Sequence, residues 1–252
     1  MTIVAKHFPG DWSLSYTSPR AGAHWRSQSN DPFIQRADAE TYRAWSDLLS
    51  RLEEEKRRGQ VDGKDRKDTG LALTPSIHYW DESTHETADN FQRLGWKSVV
   101  RDFRVLPASE LPVGVAHGIS FTTFAINPTQ YMCYLLSECR ALGVKTLRKD
   151  LGTLEEIFSI PDLQQDVAAV VNCSGIGARN LVGDKDVFPI KGQTVLVRGE
   201  CQAVKFRKTK SGWQDAVIRR PGAGTILGVS KDTNDWSVCP IHQNSWSLNL
   251  AL

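Results

Sequence analysis

The feature that most constrains this chain is the apolar run Val167–Val171, which leads directly into Asn172-Cys173-Ser174-Gly175-Ile176-Gly177. An unbroken apolar run of this kind reads as a strand buried on both faces, the type found in parallel sheets covered by helices. Glycines straight after such a strand allow a tight turn and a close approach of the backbone to a phosphate. A following helix would add free N–H groups and a positive dipole end. Taken alone, the turn is G-x-G-x-x-N, with Asn180 at the third small position, a near miss to the dinucleotide-binding fingerprint. The acid expected about twenty residues later would be Glu200, beyond a second strand. A plain strand-to-helix connection satisfies the same pattern equally well.

The remaining elements supply a context. Ile3, Val4 and Ala5 read as a short buried strand that stops at the turn Lys6-His7-Phe8-Pro9-Gly10. The small, polar stretch Tyr16 to Trp25 reads as a loop pressed against other structure. Tyr42, Trp45, Leu48, Leu49 and Leu52 recur at helical spacing, with Asp38 as the expected N-cap. The helix runs into Glu53–Arg58, and mixed charge continuing to Gly70 reads as a solvated loop or insertion, since interleaved acids argue against a basic binding patch. Asn127-Pro128 opens a second helix, with Met132, Leu135, Leu136, Cys139 and Leu142 as its apolar stripe and Gly143 at its end. Val144 to Leu147 is expected as a strand, and Thr153-Leu154-Glu155-Glu156 as a capping box that starts a short helix. This alternation predicts an α/β layer with parallel strands. Gln193–Arg198 and Ala216–Val229 are strand-rich, separated by an expected basic loop, Lys205 to Lys210.

Composition removes several classes of function. The 252 residues carry 31 basic and 29 acidic side chains, a formal net charge of +2, so no global field recruits nucleic acid or a membrane surface. No apolar run reaches bilayer length, and the N-terminal apolar stretch is too short for a signal peptide. Five cysteines, odd in number and without paired spacing, fit a reducing compartment. Leu250-Ala251-Leu252 is not a peroxisomal tripeptide, so the residues themselves point to the cytoplasm. Cys239-Pro240-Ile241-His242 supplies one pair of ligands, and His78 and His85 lack matching partners, so no metal site is expected. No nucleophile elbow or phosphate loop is present, and the scattered tryptophans read as core or interface aromatics.

Four segments together carry a resemblance. TIVAKHFPGD, YTSPRAGAHW, VVNCSGIGARNLVGDKDVFPIKGQTVLV and IRRPGAGTILG, in this order and spacing, resemble the FAD-dependent D-amino-acid oxidases from Thr2 to about Trp236. The resemblance implies an α/β fold in which a truncated, Rossmann-like FAD-binding parallel sheet is interleaved with a mixed-sheet substrate domain. Residues of about 1–50 and 113–198 would form the FAD-binding pieces, and 71–112 and 199–236 the substrate pieces, with 237–252 an unassigned tail. It also implies oxidation of a D-amino acid at its α-carbon, reduction of oxygen to peroxide, hydrolysis of the imino acid to a 2-oxo acid and ammonia, and peroxisomal residence. The cofactor carries the chemistry and the protein orients it, so no acid–base triad is required. By position, Lys6 and His7 fall where the family's second strand meets the adenosine ribose. Thr17, Ser18, Ala21, Gly22 and His24 fall on the loop that covers flavin and pyrophosphate, with His24 in place of the usual asparagine. Leu151 and Ser174 match positions on the adenosine side.

Three departures shape the expectation. Family members place a strand and a G-x-G-x-x-G loop ahead of the segment that opens here. That loop's dipole contributes about 0.3–2 kcal/mol, and its charge-assisted hydrogen bonds roughly 1.5–3 kcal/mol each. The family's two substrate-facing tyrosines fall at Ala216 and Lys231. Beyond Trp236 the resemblance stops, before the carboxylate-binding arginine. The 252 residues are therefore expected to bind FAD weakly or not at all, without turnover, and no catalytic residue is assigned. The alternatives are a remnant or binding protein that holds no flavin, and an unrelated nucleotide-dependent reductase using the Gly175–Gly177 turn.

Overall fold

The first strand, β1 (Thr2–Ala5), pairs in parallel with β5 (Lys145–Arg148), Thr2 facing Lys145 and Ala5 facing Arg148. The strands expected at Ile3–Ala5 and Val144–Leu147 both form, and each is the other's partner. The computed structural model describes residues 1–27, 29, 31–59, 68–85, 87, 89, 91, 92, 94–163, 167–210, 214–228 and 230–238. They fall into two units by their internal contacts. The first comprises 1–17, 135–193 and the described residues from 230 on. The second comprises the described residues of 18–134 and 194–229.

In the first unit, β5 follows the helix α2 (Pro128–Ala141), whose first half belongs to the second unit. Pro128 occupies the first turn, where its missing N–H costs nothing. Gly143, at φ +78°, ends the helix. Its N–H donates to Arg140 O while that of Val144 reaches back to Cys139 O, the paired bonds of a Schellman motif. The expected stripe is only partly inward: Leu135 and Leu142 are exposed while Tyr134 is buried. At the capping box, Gly152 and Thr153 N–H groups both donate to Glu156 Oε1, and the element that follows, Glu155–Ser159, is a 3-10 helix. A short antiparallel pair joins β6 (Ile190–Lys191) to β11 (Asp232–Thr233).

The strand expected over Val167–Val171 does not form. The segment has no ladder partner among the described residues, and Val171 is 80% exposed. An apolar run signals burial, but a strand needs a neighbour to take its N–H and C=O groups. The helix expected after the glycine turn is also reduced, to a 3-10 turn (Gly175–Gly177) and the one-turn helix α3 (Ala178–Leu181).

The second unit is built on a mixed seven-stranded sheet. In spatial order it runs β3 (Arg101–Val105), β4 (His117–Ile126), β2 (Leu71–Trp80), β8 (Val204–Lys208), β9 (Gln214–Arg220), β10 (Gly224–Leu227) and β7 (Val195–Val197). Only β2 and β8 run parallel; the other neighbours are antiparallel. The helix α1 (Pro32–Arg57) packs Tyr42, Trp45, Leu48 and Leu49 on the core formed by Trp25, Trp80, Trp96, Phe121 and Phe124.

Two further elements differ from expectation. The cap of α1 is Asp31, not Asp38: its carboxylate accepts the Phe33 N–H at 2.7 Å, and Pro32 opens the helix. An Asp-Pro start satisfies an orphan donor and presets φ, so it outranks an aspartate about two turns further on. The basic run from Lys205 is not a loop, since Lys205–Lys208 lies in β8. Val204 and Phe206 alternate inward, leaving Lys205 and Arg207 on the other face, where Arg207 Nε meets Asp81 Oδ1 at 2.8 Å. Residues 60–67 of the mixed-charge stretch, the Cys239–His242 cluster and the tail beyond 238 lie outside the described residues.

Candidate functional site

In an open parallel sheet, ligands bind at the carboxyl ends of the strands. In the first unit three of the expected residues, Lys6, His7 and Leu151, lie just beyond those ends. Lys6 follows β1 directly, and its Nζ pairs with Asp150 Oδ2 at 2.6 Å, both side chains exposed. The His7 ring stacks on Tyr16, with 5.4 Å between ring centres, and its Nε2 is 3.3 Å from Ser15 Oγ. Beneath this turn Asp11 forms a two-point pair with Arg148 at the end of β5. The Arg148 bond and the Phe8 N–H hold the Asp11 carboxyl at about 2. Arg148 also donates to Lys6 O and lies over the Phe8 ring at 5.3 Å. Leu151, half-buried, comes three residues after β5.

Ser174 belongs to the same unit. Its N–H and hydroxyl both bond Asn172 Oδ1, at 3.0 and 2.7 Å, so its side chain is engaged in a local turn rather than capping the 3-10 turn that follows. Gly175 takes φ +56° and nothing lies within 4 Å of where a Cβ would stand, so the backbone is open to close approach there. Glu200, the acid at the dinucleotide spacing, is elsewhere. In the second unit it braces the turn after β9, accepting from Arg219 Nε and from Gly222 N–H, both at 2.8 Å. The Arg219 bond, then the Gly222 N–H, lowers its carboxyl below the ordinary range.

The second unit holds Ser18, Ala21, Gly22 and His24, while Thr17 is the exposed last residue of the preceding segment. The segment is pinned to the end of β4: Ala23 N–H donates to Ile126 O, Ile126 N–H to Ala23 O, and Trp25 N–H to Phe124 O. Gly22 is closely packed: a Cβ on it would stand 2.9 Å from Ile218 Cδ1, which would have to shift. Ala21 is exposed. The His24 ring turns inward and stacks on Phe206 at 4.7 Å, with His78 at 6.2 Å. Its Nε2 and the His78 Nδ1 are buried without a hydrogen-bond partner. Burial, reinforced by the charge of Arg26, holds the His24 ring near a pKa of about 3 and pushes His78 well below its ordinary value. Among the described residues no group of histidine, cysteine and acidic side chains is arranged to hold a metal ion.

The sequence pattern pointed past two features. Thr74, Ser76 and His78 alternate along the central strand β2, and all are buried, with Ser76 Oγ 2.9 Å from His78 Nε2. Arg220, two residues after inward-facing Ile218 on β9, is 6% exposed and donates to Pro19 O, Thr129 Oγ1 and Asn127 Oδ1. In both, the legible signal is a polar residue at a core position in a period-two strand. Where the resemblance places tyrosines, Ala216 is 0% exposed within the cluster of Val204, Phe206, Ile218 and Ile226, and Lys231 is exposed.

These residues suit FAD. The first unit offers a cation and an imidazole just beyond β1, an apolar side chain just beyond β5 and an open turn at Gly175. The second offers a segment packed closely at Gly22 against Ile218 and a buried ring nitrogen with no partner.

Comparison with known proteins agrees. The FAD dependent oxidoreductase family matches residues 1–248. A D-aspartate oxidase from Talaromyces thermophilus is 32% identical over 95% of this chain and 64% of its own length. D-amino-acid oxidases from Fusarium vanettenii and Schizosaccharomyces pombe are 30% and 32% identical over 95% and 93% of this chain. The chain spans 62–66% of the length of these relatives. In fold it is similar to glycine oxidase from Geobacillus kaustophilus, with a TM-score of 0.62 at 18% identity over 94% of this chain and 66% of that one. L-proline dehydrogenase from P. horikoshii gives 0.61 at 16% identity over 94% and 65%. A parallel strand pair ending in Lys6 and His7, a mixed sheet carrying the Ser18–His24 segment and a match across nearly the whole sequence lead to one assignment: the chain belongs to the FAD dependent oxidoreductase family.

Proposed function

We propose that this chain serves the FAD-dependent oxidation of D-amino acids to 2-oxo acids, with ammonia and hydrogen peroxide as the other products. The observation that carries the reading is the match to relatives named D-amino-acid oxidase and D-aspartate oxidase along more than nine-tenths of the chain. In this reading Lys6, His7, Leu151 and Ser174 hold the adenosine half of FAD. Thr17, Ser18, Ala21, Gly22 and His24 hold the flavin half. When bound, the flavin accepts the hydride from the substrate α-carbon and passes the electrons to oxygen. The protein's contribution is close, rigid backbone at Ala21–Ala23 and charge at Lys6. Peroxisomal residence belongs to the same reading. Among the described residues no helix is long and apolar enough to cross a membrane.

A second reading, a chain that holds no flavin, is favoured by one observation. Ala216 is completely buried under apolar neighbours at a position where the resemblance expects a phenol facing substrate. The two readings separate when purified chain is supplied with excess FAD and then with D-alanine or D-aspartate, with the L-enantiomers as controls. Saturable flavin uptake and peroxide from a D-enantiomer alone support the oxidase. No flavin uptake supports the second reading.

A further inference from the structure

Arg220 is an unusual charge. Its guanidinium is buried, yet all three of its acceptors are neutral oxygens: Pro19 O at 2.6 Å, Thr129 Oγ1 at 3.1 Å and Asn127 Oδ1 at 3.4 Å. A buried cation without a carboxylate gives up hydration that neutral dipoles only partly replace. An apolar residue would serve the core at least as well if packing were the only requirement. What the guanidinium does that an apolar side chain does not is hold two separate pieces of chain to its own strand in one fork.

Those pieces are informative. Asn127 and Thr129 flank Pro128 at the start of α2, and the Asn127 side chain also donates to Pro221 O at 2.9 Å. The shortest of the three bonds goes to Pro19, itself buried, at the start of the Ser18–Ala23 segment. The far end of that segment is clamped by the reciprocal Ala23–Ile126 backbone bonds. Between them, Gly22 is pressed on Ile218, which shares the inward face of β9 with Arg220. The inward face of one strand thus supports the segment at two points: a methyl under Gly22 and a charged donor on the Pro19 carbonyl. Within the segment the Ala21 N–H bond to Ser18 O is long, at 3.4 Å, so local hydrogen bonding does not fix it.

We propose that Arg220 is a positioning residue that fixes the Ser18–Ala23 segment in the conformation that receives the flavin, by holding the Pro19 carbonyl to the inward face of β9. This rests on the reading that the segment faces flavin. The arginine itself touches no cofactor; it acts through Pro19. Losing it leaves the Pro19 carbonyl without its charged donor and frees the first half of the segment while the Ala23–Ile126 clamp holds.

The test compares the purified chain with Arg220→Met and Arg220→Lys. Amide hydrogen exchange is read at Ala21 and Ala23 and along β2 and β4, alongside FAD affinity by flavin fluorescence. Arg220→Met is expected to speed exchange at Ala21 by about tenfold, the scale of one charge-assisted hydrogen bond, with β2 and β4 unchanged and FAD affinity reduced by a similar factor. Arg220→Lys keeps one charged donor without the fork and should fall between. Unchanged exchange in the segment overturns the proposal. So does an equal rise across β2 and β4, or failure of both variants to fold, since Arg220 would then support the sheet rather than the segment. If the unaltered chain takes up no FAD, the functional reading fails while exchange alone still decides the role of Arg220.

Discussion

His24 and Phe206 stack with 4.7 Å between ring centres, and the histidine's Nε2 is buried without a partner. His78 lies 6.2 Å away, bonded to Ser76 and flanked by Phe121 and Phe206. The charged group that acts on both rings is Arg26, which adds to the burial that keeps them neutral. In the unfolded chain each histidine titrates near 6.5, while in the fold His24 titrates near 3 and His78 well below its ordinary value. As pH falls from 6.5 toward 3, the unfolded chain takes up protons that the folded chain refuses. Stability that is complete above 6.5 is therefore lost through that window.

Replacing His24 with asparagine removes one of these two titrations. Denaturant unfolding between pH 7 and pH 4 should then show a shallower acid slope, by up to about 1.4 kcal/mol per pH unit. An unchanged slope would mean that His24 is charged or solvated in the fold.

Gly22→Ala places a methyl 2.9 Å from Ile218 Cδ1. The contact is with the end of a side chain, so overpacking of about 1–3 kcal/mol is expected. Ile218→Val removes that Cδ1 at a cost of about 0.5–1.5 kcal/mol alone. The double variant should be more stable than the sum of the two predicts. Simple additivity in thermal unfolding would show that Gly22 serves something other than clearance over Ile218.

Asp31→Ala should destabilise the fold by about 0.5–2 kcal/mol, because the Phe33 N–H loses its acceptor. Asp38→Ala lies inside the helix, where alanine is the better helix former, and should cost little or nothing. Chemical denaturation distinguishes the two caps directly.

Asp81→Asn leaves Arg207 without its counter-charge on a half-buried part of β8. A loss of about 1–3 kcal/mol is expected, with Arg207→Leu in the same background recovering part of it. A neutral effect would mean that water already screens the pair.

What was legible in the sequence follows a physical division. Local chemistry reads well: Pro128 and Gly143 bound α2, Glu156 reaches back to the N–H groups before it, and Ile3–Ala5 and the stretch after Gly143 form strands. Features that depend on a neighbour read poorly. Val167–Val171 has the composition of a buried strand but finds no ladder partner. Lys205–Lys208 looks like a loop because its charges dominate, although Val204 and Phe206 carry the strand period. For the candidate site, the positions of Lys6, His7 and Gly22 were visible from motif order. The Arg220 fork was not, since Pro19, Asn127 and Arg220 meet only through the fold.

The measurement that bears most directly on the central claim is titration of the purified 252-residue chain with FAD, followed by flavin fluorescence, with ADP as competitor. Weak but saturable binding that ADP displaces is the predicted result, because the adenosine half is assigned to Lys6, His7, Leu151 and Ser174. Absence of saturable binding, or binding indifferent to ADP, would contradict the account.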